Sequence, residues 1–243
     1  MDKELFLAIP TAKPDEKETL IYESVKKLTD YGIVKPDNVS FLKNNENGLA
    51  PVYNRILDDE RVKGKILVFV HDDVRIDELY LREKLNDSAG SGVVVTALAG
   101  SRNLRDDVVR WLILRKMPPM WHVMCKDNSG EVSHFKTDSD FGYNAPCFTS
   151  RYGDFGKVEF FDGVFMAIDV DNLPDAVRFD ENCKAKFHYY DLNFSLNCLI
   201  NGVWCETKPI KITHVSHGLK AVTDDFRHGA IYFCDRLKEY LKK

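Results

Sequence analysis

Five consecutive apolar residues, Ile66-Leu67-Val68-Phe69-Val70, run directly into His71-Asp72-Asp73. A strand that is apolar on both faces must lie inside a sheet covered on both sides, which is the setting of a largely parallel sheet flanked by helices. The run is a strand's length and far short of a bilayer span. Its surroundings agree. Leu5 to Ile9 and Val93 to Ala99 read as further buried strands, and Val39 to Leu42 as another. Between them the spacing predicts a helix from Pro14 to Tyr31, with Pro14 in the first turn, Asp15 and Glu16 after it and Gly32 at the end. A second helix runs from Pro51 onward with Val52, Ile56 and Leu57 on one face, and a short one covers Asp77 to Lys84. Strand alternating with helix at this spacing predicts an α/β fold with a mostly parallel central sheet.

The later part is less regular. A helix is expected over Asp106 to Lys116, then a long loop or small hairpins through about residue 156, a strand from Phe160 to Ile168 broken at Asp162-Gly163, and a helix from Tyr190 to Ile200. Ile210 to Val215 reads as a strand. Thr223 to Leu241 reads as an amphipathic helix with Phe226, Ala230, Phe233, Leu237 and Leu241 in one stripe. With 243 residues and no repeat or linker, one domain over 1–243 is expected. The charge balance, 34 Lys+Arg against 38 Asp+Glu, is not that of a protein built around nucleic-acid phosphates. The six cysteines show neither a CxxC pair nor finger-like spacing, so Cys183, Cys198 and Cys205 are expected as small buried hydrophobes. The first residues lack the apolar stretch of a secretion signal, and a cytoplasmic location is expected.

Three short stretches carry groups able to do chemistry. Ligands of parallel α/β sheets bind beyond the carboxyl ends of the strands, which is where His71-Asp72-Asp73 falls. Adjacent carboxylates there suit Mg²⁺ or Mn²⁺; equally, the triplet could be a solvated turn capping the next helix. His214-Val215-Ser216-His217-Gly218 follows a strand and would bring two imidazoles to one site only through a turn, which Gly218 permits; one capping and one exposed His is the plainer alternative. In His188-Tyr189-Tyr190-Asp191, Asp191 is either the N-cap of the helix after it or a general base.

The order of these elements resembles the glycosyltransferase family 2-like enzymes of the GT-A fold. Ile9-Pro10-Thr11 stands where that family opens its nucleotide pocket. Asn47-Gly48, Ala50 and Tyr53-Asn54 look like its loop and helix before the metal-binding strand, and His71-Asp72-Asp73 falls at its DXD motif. Phe161-Asp162-Gly163-Val164 resembles its acceptor-side element, Tyr190-Asp191 its Glu-Asp motif, and the segment from His214 to His217 the place of a late metal-ligating His. The resemblance covers residues 5 to about 220. It implies a nucleotide-sugar half over 1–100, an acceptor and catalytic half over 101–220 and a C-terminal helix over 221–243. Donor contacts fall to Pro10, Thr11, Asn47, Asn54, His71 and Asp72, and acceptor contacts to Asp162, Gly163 and Tyr190. Asp73 with His214 or His217 would ligate Mn²⁺ or Mg²⁺, and Asp191 would be the base.

Two positions depart from the pattern: His71 replaces the first Asp of DXD, and Tyr190 replaces the Glu of Glu-Asp. The implied reaction is an inverting, metal-dependent transfer from a nucleotide-diphosphate sugar, UDP-sugar by default, to a hydroxyl of a glycan or glycolipid. A catalytically silent sugar-nucleotide- or glycan-binding module of the same fold is the alternative, supported by the two departures. A nucleotidyltransferase ranks below both, since no Gly-rich triphosphate loop follows the first strand. Trp111, Trp121 and Tyr143 are candidates to stack on sugars, with plain packing as the alternative. The Arg110–Met117 segment offers a choice between peripheral membrane contact and a buried amphipathic helix.

Overall fold

The computed structural model describes residues 2–135, 147–215 and 223–242. In chain order the elements are β1 (Glu4–Pro10), α1 (Tyr22–Asp30), β2 (Val39–Leu42), α2 (Leu49–Leu57), β3 (Lys65–Val70), β4 (Val74–Ile76), α3 (Leu81–Gly90), β5 (Val95–Ala97), β6 (Ala99–Leu104), α4 (Asp106–Leu114) and α5 (Trp121–Met124). They continue with β7 (Cys125–Phe135), β8 (Cys147–Gly153), β9 (Lys157–Val158), β10 (Phe160–Phe161), β11 (Phe165–Asp169), α6 (Tyr190–Ile200), β12 (Cys205–Thr207), β13 (Ile212–Val215) and α7 (Asp224–Tyr240).

One sheet has the order β2-β1-β3-β11-β5-β12-β9. β1 lies parallel to both β2 and β3, and β12 parallel to β5, while β11 is inserted antiparallel between β3 and β5. The α/β class holds, with β11 and the short edge strand β9 running against the other five. Leu5 to Ile9 and Leu67 to Val70 have no exposed surface, as the doubly covered position of their strands demands. The second sheet, β10-β6-β7-β13-β4 with β8 on β7, stands beyond the carboxyl end of β3. It supplies part of the wall around His71, Asp72 and Asp73.

Three expectations are corrected. The apolar stretch Val93 to Ala99 is not one strand: β5 ends at Ala97, and after Leu98 the chain enters the second sheet as β6. The helix expected at Asp77 starts four residues later. Val74, Arg75 and Ile76 alternate buried, exposed, buried and pair with β13 as β4, and the Glu78 carboxylate accepts the Tyr80 N–H just ahead of α3. The Pro14–Tyr31 helix is divided. Asp15 caps a short 3-10 turn at Glu16–Glu18, the Thr19 hydroxyl donates to the Glu16 carbonyl, and α1 begins only at Tyr22.

The segment read as loop or small hairpins contains the antiparallel pair β7–β8; residues 136–146, Tyr143 among them, lie outside the described residues. The short strands β9 and β12 have no counterpart in the sequence pattern, whereas α4, α6 and α7 lie within two residues of their expected bounds. In α7 the Thr223 hydroxyl accepts the Phe226 N–H, and Phe226, Ala230, Phe233 and Leu237 are buried. Cys125, Cys183, Cys198 and Cys205 are buried free thiols.

Candidate active site

The end of β3 is held from three directions. The His71 N–H donates to the Val164 carbonyl (3.1 Å), the Ile21 N–H donates to the Asp72 carbonyl (3.3 Å), and the Val215 N–H donates to the Asp73 carbonyl (2.9 Å). The triplet is a half-exposed turn whose backbone is anchored to the start of β11, to the approach to α1 and to the end of β13. Its side chains are therefore delivered to fixed places.

Asp72 faces β1. Its Oδ2 accepts the Thr11 hydroxyl (2.5 Å), and the Thr11 carbonyl accepts the Asn45 N–H (2.9 Å). Pro10, Thr11, His71 and Asp72 thus line one cavity of about 210 Å³, completed by Ala12, Asn45, Leu49 and Phe187. Two of the expected donor residues are elsewhere. Asn47 is exposed and faces another depression beside Lys43 and Arg55. Asn54 spends its amide on the backbone of Phe179, donating to its carbonyl and accepting its N–H, both at 2.9 Å. That pairing pins α2 to the segment before α6, a structural duty that a sequence motif does not reveal.

Asp73 faces the second sheet. Its Oδ2 lies 3.3 Å from His214 Nε2 and its Oδ1 3.9 Å from His71 Nδ1. One ligand atom from each of these three residues lies within 4.8 Å of the others. Burial would raise the Asp73 carboxyl, but the hydrogen bond to His214 and the two imidazoles hold it below its ordinary value. Burial pulls His214 down, and Asp73 outweighs it, leaving His214 raised. For His71 burial prevails over the carboxylates, so this imidazole is lowered and neutral, with a lone pair to offer. Asp73 Oδ1 is buried and has no hydrogen-bond partner among the described residues. A buried anionic oxygen left bare is costly unless a cation completes it, so the three side chains fit a divalent metal ion. His217, the other expected ligand, lies outside the described residues.

The two departures from the family pattern touch each other. The Tyr190 hydroxyl is 2.7 Å from His71 Nε2, so the ring is oriented from the side opposite Asp73. Tyr190 is buried against Tyr53 in an edge-on contact, with ring centroids 5.7 Å apart. Gly163 makes room for it. A Cβ at 163 would stand 2.3 Å from the Tyr190 hydroxyl and 2.8 Å from Asp191 Cβ, so only glycine fits.

Asp191 is not the N-cap. Tyr189, in a left-handed conformation (φ 61°), occupies that place without a side-chain cap, and Asp191 sits in the first turn of α6. Its Oδ2 accepts the Gly163 N–H (3.1 Å) and its Oδ1 the Leu192 N–H (2.9 Å). Burial, with the Asp162 charge adding to it, pushes its carboxyl up to about 7. Asp162 is fixed by accepting the Val164 N–H (2.9 Å). Its charge also favours the protonated forms of His71, His122, His134 and His214, which places it amid these groups.

His134 escaped the sequence analysis. It is the register partner of His214 on the neighbouring β7, with ring centroids 5.8 Å apart, and its Nδ1 is buried without a partner among the described residues. The pairing of β7 with β13 joins segments far apart in the chain. The only local signal was a His in the polar alternation of residues 131–135.

Among solved structures, A197 from STIV is similar over 88% of this chain and 86% of its own, with a TM-score of 0.48 and 14% identity. The mannosyltransferase PcManGT from Pyrobaculum calidifontis, solved in complex with GDP-Man and Mn²⁺, is similar over 89% of this chain and 57% of its own, with a TM-score of 0.46 and 13% identity. No curated protein matches the sequence. The Glycosyltransferase like family matches residues 25–217, which takes in the β3 end, Asp162, Gly163, Tyr190, Asp191 and His214. The chain belongs to this glycosyltransferase-like family.

Proposed function

We propose that the protein is an inverting, metal-dependent glycosyltransferase that moves a sugar from a nucleotide-diphosphate donor to a hydroxyl of a glycan or glycolipid. One observation carries this reading: Asp191, a carboxyl raised to about 7, stands beside Asp162 and Gly163 on the same strand-end surface as the His71, Asp73 and His214 cluster. A base poised near neutrality suits abstraction of a hydroxyl proton.

In this scheme the Thr11 and Asp72 cavity takes the nucleotide, Asp72 offering its carboxylate to ribose hydroxyls. The acceptor oxygen attacks the anomeric carbon from the face opposite the diphosphate. The bond from that carbon to the diphosphate oxygen breaks through an oxocarbenium-like state, as in glycoside hydrolysis, and the configuration inverts. Asp191 takes the acceptor's proton, and Asp162 and Gly163 shape the acceptor side. A divalent cation held by His71, Asp73 and His214 would supply positive charge to offset the departing diphosphate. Two imidazoles and one carboxylate favour Mn²⁺ over Mg²⁺, which prefers oxygen ligands. UDP-sugars are the donors to assay first, as the default base for this fold.

The silent-module alternative rested on His71 and Tyr190. Their mutual hydrogen bond supports a rebuilt site over a decayed one. The test is donor turnover with water as acceptor, in the presence of Mn²⁺, for the wild type and Asp73→Ala. The expected result is Mn²⁺-dependent release of nucleoside diphosphate that Asp73→Ala abolishes together with Mn²⁺ binding. Wild-type Mn²⁺ and UDP affinities in Asp73→Ala would refute the ligand assignment. An absence of turnover across UDP- and GDP-sugars would favour the silent module.

A further inference from the structure

In a chain with net charge −4, residues 108–126 hold Arg110, Arg115, Lys116 and Lys126 and not one Asp or Glu. All four are exposed, and none is ion-paired among the described residues. The same segment bears a row of outward apolar groups: Leu114 is 80% exposed, Trp111 49%, Met117 45% and Val123 42%. In α4, Val109 and Leu112 face the core, while Arg110 with Leu114 and Trp111 with Arg115, each pair one turn apart, form the outer face.

Lys116 ends the helix in a left-handed conformation (φ 55°), and the Met117 N–H closes back on the Leu112 carbonyl (2.9 Å), so the apolar row continues past the helix end. Behind it a groove of about 540 Å³ runs between this end and α7, lined by Ile113, Met117, Pro118, Phe226 and Ile231 among others. The one carboxylate on its α7 wall, Asp235, is paired with Lys238.

We propose that this face docks the protein on an anionic lipid bilayer, with Trp111, Leu114 and Met117 entering the headgroup region and the four cations facing lipid phosphates. Exposed apolar side chains flanked by unpaired basic ones are what an interfacial helix presents to such a surface. A protein partner would need acidic and apolar groups in one matching arrangement, whereas a bilayer offers both everywhere. No helix among the described residues is long and apolar enough to cross a membrane, so the contact is peripheral. The surface adjoins the acceptor side: α5 follows it directly, Trp121 packs edge-on against Tyr152 (4.8 Å between centroids), and His122 feels the Asp162 charge. The proposal does not depend on the reaction catalysed.

The test is co-sedimentation of the full chain with vesicles of phosphatidylcholine alone and with roughly one-third phosphatidylglycerol. Binding is expected only to the anionic vesicles and should fall steeply with salt. At about fivefold per basic residue near the surface, the Arg110→Ala, Arg115→Ala, Lys116→Ala triple variant should lose roughly a hundredfold in partitioning. Leu114→Glu, at a site too exposed to disturb folding, should lose binding at unchanged melting temperature and donor turnover. Equal binding to neutral vesicles, wild-type partitioning of either variant, or no binding at all would overturn the proposal. Self-association that Leu114→Glu abolishes, without vesicle binding, would assign the face to a second copy instead.

Discussion

Replacing Asp191 by Asn removes its proton-accepting role while keeping the side chain's shape. The carboxyl is held near 7 by burial and by Asp162, and its oxygens accept the Gly163 and Leu192 N–H groups. Asn keeps the shape and one of the two acceptors. If Asp191 is the base, its ionised fraction in wild type rises from about one-tenth at pH 6 to about nine-tenths at pH 8, so turnover at saturating donor and Mn²⁺ should climb roughly tenfold. Asp191→Asn should lose about 10²–10⁴-fold and should flatten that limb.

The sign for stability is opposite. A carboxyl whose folded pKa exceeds its unfolded one binds more protons when folded, so its contribution falls as pH rises from about 4 to about 7. Asp191→Asn removes this penalty and should melt no lower than wild type at pH 8. Asp162→Asn should shift the activity limb to lower pH by removing a like charge, without restoring an ordinary carboxyl, since burial is the larger cause. The readouts are chromatographic release of nucleoside diphosphate across pH 6–8 and thermal melts at the same values. A flat wild-type profile, or an Asn variant with full turnover, would refute the assignment.

Tyr190→Phe removes the hydroxyl on His71 Nε2 and should weaken Mn²⁺ binding about 10–100-fold, read by electron paramagnetic resonance of free Mn²⁺, with little change in melting; unchanged affinity would show that the phenol does not orient His71. Gly163→Ala forces a methyl onto the Tyr190 hydroxyl and should cost about 1–3 kcal/mol in denaturant unfolding and most of the turnover; a neutral variant would mean that α6 shifts freely. Asn54→Ala should cost about 1–3 kcal/mol through the lost Phe179 contacts while leaving UDP affinity intact, and a selective loss of UDP binding would restore Asn54 to the donor site. In metal-free Asp73→Asn, the His214 imidazole should titrate below its ordinary value in NMR, because burial is then opposed only by the Asp162 charge; an unshifted midpoint would break the pairing.

What the sequence discloses about this site is whatever one strand end can carry alone. Ile66 to Val70 is apolar throughout because both its faces are covered, so the position of His71, Asp72 and Asp73 could be inferred without knowing any neighbour. The α6 boundaries were legible for a similar reason, since Asn201-Gly202 stops a helical run that starts at Tyr190. The exit of the chain at Leu98 into β6 and the β4 strand depend on partners distant in sequence, β10 and β13. Their strands are short or polar on one face, and local periodicity under-reports them. The Asn54 and His134 roles were hidden likewise: each follows from what packs opposite, Phe179 in one case and His214 in the other. The two departures were visible as oddities of sequence, and only the fold shows that they meet.

Asp73 and His214 become neighbours only after β13 has paired with β4, which brings a late stretch of the chain back to an early one. Any ion bridging them is a reversible cross-link across a very long loop, and it selects for the folded ensemble by mass action. The three-residue cluster is then a property of the whole fold rather than of either half. A chain truncated before β13 would keep the residues of the Thr11 and Asp72 cavity but lose the third member of the His71, Asp73 and His214 cluster.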